Sequence, residues 1–234
     1  MLGREPGGES DSTLADSIKR MDRLPRGRHG LSPEFVARNQ RDRLINGLTD
    51  ALYEEGYEKT TVSEIGKRAA VSKSDFYKHF ESKDDCFHAA YNEAVASIGE
   101  CVRSACATEV PAEWEARVRS GLAALLGLLA REPALASLTL VEGLRAGRGV
   151  YDRYQAALEG FVPLLREGAP RTPAGKPVPT AMDEAVVGGV ASMLGRRVLA
   201  GETAELGALL PDALEFTLTP YLGAPEARRI VSAG

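Results

Sequence analysis

Cysteine is scarce in this chain of 234 residues: three, at positions 86, 101 and 106. So few build no disulfide framework, and no CxxC or Cys/His spacing offers a zinc site. Cys101 and Cys106 lie five apart on one helix, on different faces, and read as simple buried thiols. The three histidines, at 29, 79 and 88, are too scattered for triad or metal chemistry; His88, one turn after Asp84, reads as its ion-pair partner. GxSxG, HExxH, P-loop and post-strand GxGxxG signatures are all missing. No catalytic residue, cofactor or metal is expected, and an enzyme is disfavoured. Long apolar runs are missing too: the longest, 121–130, is flanked by Arg119 and Arg131 and falls short of the ~18–20 residues a bilayer span needs. The N-terminus is polar and Gly-rich, without a secretory h-region. These absences lead to the expectation of a cytoplasmic protein with no membrane partner. Strand-like alternation and fixed-period repeats are also lacking.

What is present is a globular composition, 44% hydrophobic and 26% charged, with a net charge of −4. That average conceals an asymmetry. Residues 1–83 carry 15 Lys+Arg against 14 Asp+Glu, whereas residues 84–234 carry 14 against 19. Six of the seven lysines fall in the first part. A small basic module ahead of a larger acidic one suits a nucleic-acid reader joined to something else.

Residues 1–17 have almost nothing to bury, and 18–30 form a basic, Pro/Gly-broken arm. Ser32-Pro33 is a cap followed by Pro at the first helical position, and Leu44, Ile45, Leu48 and Leu52 then fall at helical spacing up to Gly56. Thr61-x-x-Glu64, Ser72-x-x-Asp75 and Ser82-x-x-Asp85 are three capping-box patterns in close succession, so three helix starts. Val62, Ile65 and Ala69 share one face; Phe76 and Phe80 share another, with Val71 placed to staple against Phe76. Two short helices joined by the tight Ala69–Ser72 turn, under a longer one, make a helix-turn-helix. Beyond Ser82 the periodicity is helical throughout, to about 106 and then over 112–131, 133–146, 149–168, 181–200 and 203–222, the last interrupted at Pro211. The fold class expected is all-α: a three-helix N-terminal unit over 31–83, after a tail and arm over 1–30, and a larger helical domain over 84–234.

With Phe76 and Phe80 turned inward, Ser74 and Lys78 lie on the opposite side and Tyr77 on the flank. Ser72 caps the helix, and Lys73 sits at its first position, where unpaired N–H groups favour phosphate. His79 and Lys83 follow at the far end. Polar, basic and aromatic side chains on one face suit a DNA duplex, whose phosphates fix docking and whose groove edges carry sequence. A merely solvated polar face would look the same.

The stretch 56–91, GYEKTTVSEIGKRAAVSKSDFYKHFESKDDCFHAAY, resembles the N-terminal segment of the TetR (tetracycline-repressor-type) family of bacterial transcription regulators; with the preceding helix the likeness covers about 40–95. Gly56-Tyr57, Thr60/Thr61, Ile65, Ala69, Val71-Ser72, Phe76-Tyr77, His79-Phe80 and Ser82-Lys83 carry it. Ala70 stands where the family often has Gly, so it must adopt backbone angles that cost Gly less; Phe76 stands where it often has Leu. The resemblance implies base contacts from Lys73 and Ser74 and phosphate contacts from Thr61, Tyr77, His79 and Lys83. It also implies a groove-reading or backbone-reading arm with Arg23, Arg26 and Arg28, although an arm that is only solvated fits equally. Further, it implies a helical effector-binding and dimerising domain, hence a homodimeric regulator of a palindromic operator, a repressor released by an unknown small molecule.

No motif transfers to the larger domain, so only physics speaks there. Ala185, Gly188, Gly189, Ser192 and Gly195 put small residues on one helix face, which lets helices approach closely. Since Gly weakens a helix by up to about 1 kcal/mol each, the face marks tight packing, across a dimer (with Gly188, Ser192 and Gly195 at its centre) or within the subunit. Trp114, Leu125, Leu138, Glu142, Tyr151, Tyr154 and Phe161 are candidates to wall an effector cavity, with an orienting charge from Glu142 and Arg145. The rival reading is a helical metabolite-binding protein or enzyme whose N-terminal module serves only in assembly.

Overall fold

In the computed structural model the described residues are 32–107, 113–145 and 148–233. All regular structure among them is helical. Helix α1 (Pro33–Glu55) starts on the Ser32 hydroxyl, which accepts from Phe35 N at 3.2 Å, and stops at Gly56, φ 78°. Helices α2 (Val62–Ala69) and α3 (Lys73–His79) start on Thr61 and Ser72, whose hydroxyls accept from Glu64 N at 3.2 Å and Asp75 N at 3.0 Å. Helix α4 (Lys83–Ala107) starts on Ser82, which accepts from Asp85 N at 3.1 Å. Each capping pattern in the sequence thus opens a helix. A cap is worth about 1 kcal/mol, a large share of what holds helices of two turns.

Between α2 and α3 the turn passes through Ala70 at φ 50°, ψ 43°, the left-handed region foreseen from the missing glycine. Gly47 lets α1 approach α2: a Cβ there would lie 3.0 Å from the Ile65 carbonyl oxygen. The N-terminal core gathers Leu44, Leu48, Ile65, Phe76, Phe80 and Phe87, with Tyr91 from α4 and Leu138 from further on. Helix α4 therefore begins where the three-helix unit ends and still supplies part of its core.

Helix α5 (Trp114–Arg131) carries the 121–130 run, of which Gly121, Leu126, Leu128 and Leu129 are buried. The chain bends by 108° after Arg131 into α6 (Pro133–Ser137). The span 133–146, expected as one helix, instead passes from α6 into a π turn (Leu138–Glu142) and a last helical turn (Gly143–Arg145). Then come α7 (Arg148–Arg166), α8 (Thr180–Leu199), a 3₁₀ stretch (Thr203–Leu209), α9 (Leu210–Leu222) and α10 (Ala224–Ser232). No α10 was expected; its Ala227 is fully buried. Pro211, expected to interrupt the 203–222 helix, sits at the start of α9, where a missing N–H costs nothing. No single helix among the described residues is long and apolar enough to cross a membrane.

Candidate DNA-binding face and effector cavity

Helix α3 presents Lys73, Ser74, Tyr77 and Lys78 exposed, over a Phe76 that is wholly buried. Lys73 makes no hydrogen bond or ion pair to any described residue. Ser74 Oγ lies 2.8 Å from Ser72 Oγ, and Lys78 Nζ donates to Asp75 Oδ1 at 2.7 Å. That contact, with the Ser72 hydroxyl, holds the Asp75 carboxyl below its usual range. Tyr77 packs edge-on against Phe76 and keeps half its surface open. Thr61 is exposed as the cap of α2. His79 is half-buried, Nε2 3.2 Å from Gln40 Oε1. Lys83 is committed: its Nζ donates to Tyr57 O at 2.8 Å and stands 3.9 Å from the Tyr57 ring centroid. Arg23, Arg26 and Arg28 lie outside the described residues.

Two positioning residues went unread in the sequence. Arg43 on α1 donates to the Ala69 carbonyl and, at 3.0 Å, to the Ala70 carbonyl, clamping the left-handed turn between α2 and α3. Gln40, one turn earlier on α1, anchors His79. Both partners lie 26 to 39 positions away, and helical periodicity reports only neighbours three or four apart.

The larger domain holds an apolar cavity of about 160 Å³, walled by α4, α5, the π turn, α7, α8 and α9. Of the seven candidates, Leu125, Tyr154 and Phe161 line it. The other four stand elsewhere, each for a physical reason. Trp114 is a core strut: its Nε1 donates to Leu165 O at 2.7 Å and its ring centroid lies 4.6 Å from that of Tyr221. Tyr221 donates in turn to Asp183, a buried carboxylate whose Oδ2 meets Arg166 Nε at 2.9 Å. Leu138 belongs to the N-terminal core. Tyr151 is exposed and takes a hydrogen bond from Gln155 Nε2 at 2.8 Å. Glu142 is buried and reaches out of the domain, its Oε2 accepting from the Tyr57 backbone N–H at 3.0 Å. Periodicity says which residues face inward but not which of them meet a void, so the wall from α4 and α8 (Tyr91, Val102, Val187, Ala191) went unnamed.

Glu142 makes the π turn a bridge. Thr139 and Leu140 line the cavity, and Glu142, less than one turn on, holds the loop just before α2. Gly143 lies against Tyr91 of the cavity wall, where a Cβ would come within 2.8 Å of the ring. π turns recur where a helix has a task beyond packing.

On α8 the small face divides. Gly195 is turned into its own subunit, against the Leu140 carbonyl, and Gly189 lies beneath the Phe216 ring. A Cβ at Gly188 would meet open space and Ser192 is exposed, as are Met182 and Leu199 on the same helix and Phe216 on α9.

A three-helix unit with an exposed basic recognition-type helix, on a hollow helical domain, defines the class of two-part helix-turn-helix proteins. Residues 44–90 match the model of "Bacterial regulatory proteins, tetR family". The Transposon Tn10 TetC protein of Escherichia coli is 29% identical over 73 residues, 31% of this chain and 36% of that protein, so the match spans about a third of that relative's length. Among solved structures, the transcriptional regulator FadR from Bacillus subtilis in complex with stearoyl-CoA superposes with a TM-score of 0.65 at 18% identity, covering 77% of this chain and 97% of that one. SmeT, the repressor of the Stenotrophomonas maltophilia multidrug efflux pump SmeDEF, gives 0.61 at 18%, covering 77% and 89%. Residues 44–90 thus resemble the N-terminal segment of the TetR family, and the described residues share the two-part helical fold of these solved regulators.

Proposed function

We propose that the protein is a homodimeric, sequence-specific DNA-binding transcription regulator, a repressor that leaves its operator when a small apolar molecule fills the cavity. The division runs as read in the sequence: 31–83 reads DNA, and 84–234 binds effector and dimerises. The observation that carries this reading is the pairing of an exposed Lys73, without a partner among the described residues, and an exposed Ser74 at the start of α3 with an apolar cavity whose π-turn wall grips the same unit through Glu142. Lys73 and Ser74 contact base edges; Thr61, Ser72, Tyr77, Lys78, His79 and Lys83 serve the phosphates, Lys83 and His79 while also bracing Tyr57 and Gln40. Gly188, Ser192 and the apolar residues beside them form the dimer face, which supports the reading by leaving a helix-sized stripe open.

Two recognition helices must stand roughly 34–36 Å apart to enter successive major grooves. An effector that prefers another spacing lowers the DNA-competent population by its difference in affinity for the two states. Two structural neighbours, a regulator in complex with stearoyl-CoA and an efflux-pump repressor, support a small-molecule effector of apolar character here. Gel shifts over a salt series test the core of the proposal. Binding of certain genomic fragments by a dimer should weaken steeply with salt, because Lys and Arg release phosphate counterions; no retained fragment, or a flat salt response, contradicts it.

A further inference from the structure

Among the described residues, no charged side chain lines the cavity. A carboxylate or ammonium within it would lack a counter-charge in an apolar medium, which is strongly disfavoured. Its polar groups are few and mostly committed. Thr139 Oγ1 donates to Leu135 O at 2.8 Å, Thr217 Oγ1 to Ala213 O at 2.7 Å and Cys106 Sγ to Arg117 O at 3.6 Å. Two hydroxyls remain. Tyr91, on α4, is only 2% exposed, and Tyr154, on α7, packs against the same cluster. Neither hydroxyl has a hydrogen-bond partner among the described residues. Two phenol hydroxyls on residues of one cavity wall are thus uncommitted donors that a ligand could use. Burial pushes both phenols upward in pKa, and Tyr154 raises Tyr91 further, so both remain protonated donors.

We infer that the cavity takes an uncharged, one-ring-sized apolar molecule bearing a carbonyl-type oxygen, which accepts hydrogen bonds from the Tyr91 and Tyr154 hydroxyls. This rests on the effector reading above and narrows it to a ligand class. Size agrees: an apolar protein cavity of about 150 Å³ accepts benzene, close to the volume of about 160 Å³ found here. The position also matters, because the Tyr91 ring that would hold the ligand is the one that abuts Gly143, next to Glu142.

Acetophenone, α-methylstyrene (the same shape with CH₂ in place of oxygen), benzoate and stearoyl-CoA, titrated calorimetrically into the DNA-free full-length protein, test the inference. Acetophenone should bind and benzoate should not. Tyr91→Phe with Tyr154→Phe should weaken acetophenone about tenfold and leave α-methylstyrene within about twofold of wild type. Tyr154→Phe alone, at a half-buried site, should give a smaller loss in the same direction and keeps the test valid if the double variant melts early. Equal effects on acetophenone and α-methylstyrene, no acetophenone binding, benzoate binding as well as acetophenone, or tight stearoyl-CoA binding untouched by the phenol changes would each overturn it. Selective acetophenone binding without release from DNA would leave the inference standing and sink the regulatory reading instead.

Discussion

The two ends of the molecule are built to opposite plans. Around Phe76, Phe80 and Phe87 the short helices are pinned from outside by side-chain caps, by Arg43 across the turn and by Lys83 on Tyr57, and the core beneath is one continuous cluster of buried apolar residues. Around Leu122, Leu158 and Val187 long helices surround a space whose lining is almost wholly apolar. Well-filled interiors shift as units, whereas helices around a void can repack when it is occupied. Under the proposed function, the contrast assigns each task a place: the first end would keep the shape that a duplex must meet, and the second would change shape and pass the change on through the π turn.

The largest expected effect breaks the first end alone. Phe76→Ala removes a ring from a site with no exposure and should cost about 3–5 kcal/mol, seen as a lower urea midpoint and lost DNA binding. Next, filling the void sharpens the contrast: Ala157→Phe, on the cavity wall, should cost at most about 1–3 kcal/mol through overpacking while abolishing ligand binding and leaving operator affinity near wild type. If it abolishes DNA binding equally, the two ends are not separable in this way. Glu142→Leu takes the acceptor from the Tyr57 N–H, and an unpaired buried N–H costs about 1–3 kcal/mol. It should uncouple ligand from operator, whereas Glu142→Gln, which keeps an acceptor oxygen, should retain most of the coupling. Equal coupling in both variants contradicts the bridge.

A smaller gain is expected at the turn. Ala70 holds φ 50°, so Ala70→Gly should raise stability by about 1 kcal/mol, read from denaturant midpoints with unchanged DNA affinity. The smallest effect is pH-dependent. Burial, with Arg153 nearby, draws the His88 pKa below the ordinary histidine range. The unfolded chain then takes up a proton that the folded one resists; this contribution is intact above that range and is lost as pH falls through it. Between about pH 7.5 and 5.5, stability should decline, and less steeply in His88→Gln; an identical slope removes His88 from the account.

The same contrast governs how far residues alone foretold the structure. Caps, the Ala69–Ser72 turn and the Phe76/Phe80 pair are local signals, and all three survive because nothing distant overrides them. Ala70 was legible as a strained position because only backbone sterics enter. In the larger domain the run 121–130 announced a buried helix, but the cavity depends on which inward side chains fail to meet, a tertiary property. Trp114 looked like a cavity residue because an amphipathic ring suits a wall; it found its partner in Leu165 O instead. Glu142 was singled out for its charge among apolar helices, and its burial is real, but it serves Tyr57, 85 positions away in sequence.

The central claim is that the face of α3 reads DNA, and selection of bound duplexes from a random pool, followed by sequencing, tests it most directly. Wild type should enrich a two-fold palindrome with half-site centres about 10–10.5 base pairs apart, and Lys73→Ala and Ser74→Ala should each relax or change particular base pairs within it, each worth about 1–3 kcal/mol. Enrichment of no common site, or the same site recovered unchanged by both variants, would contradict the account.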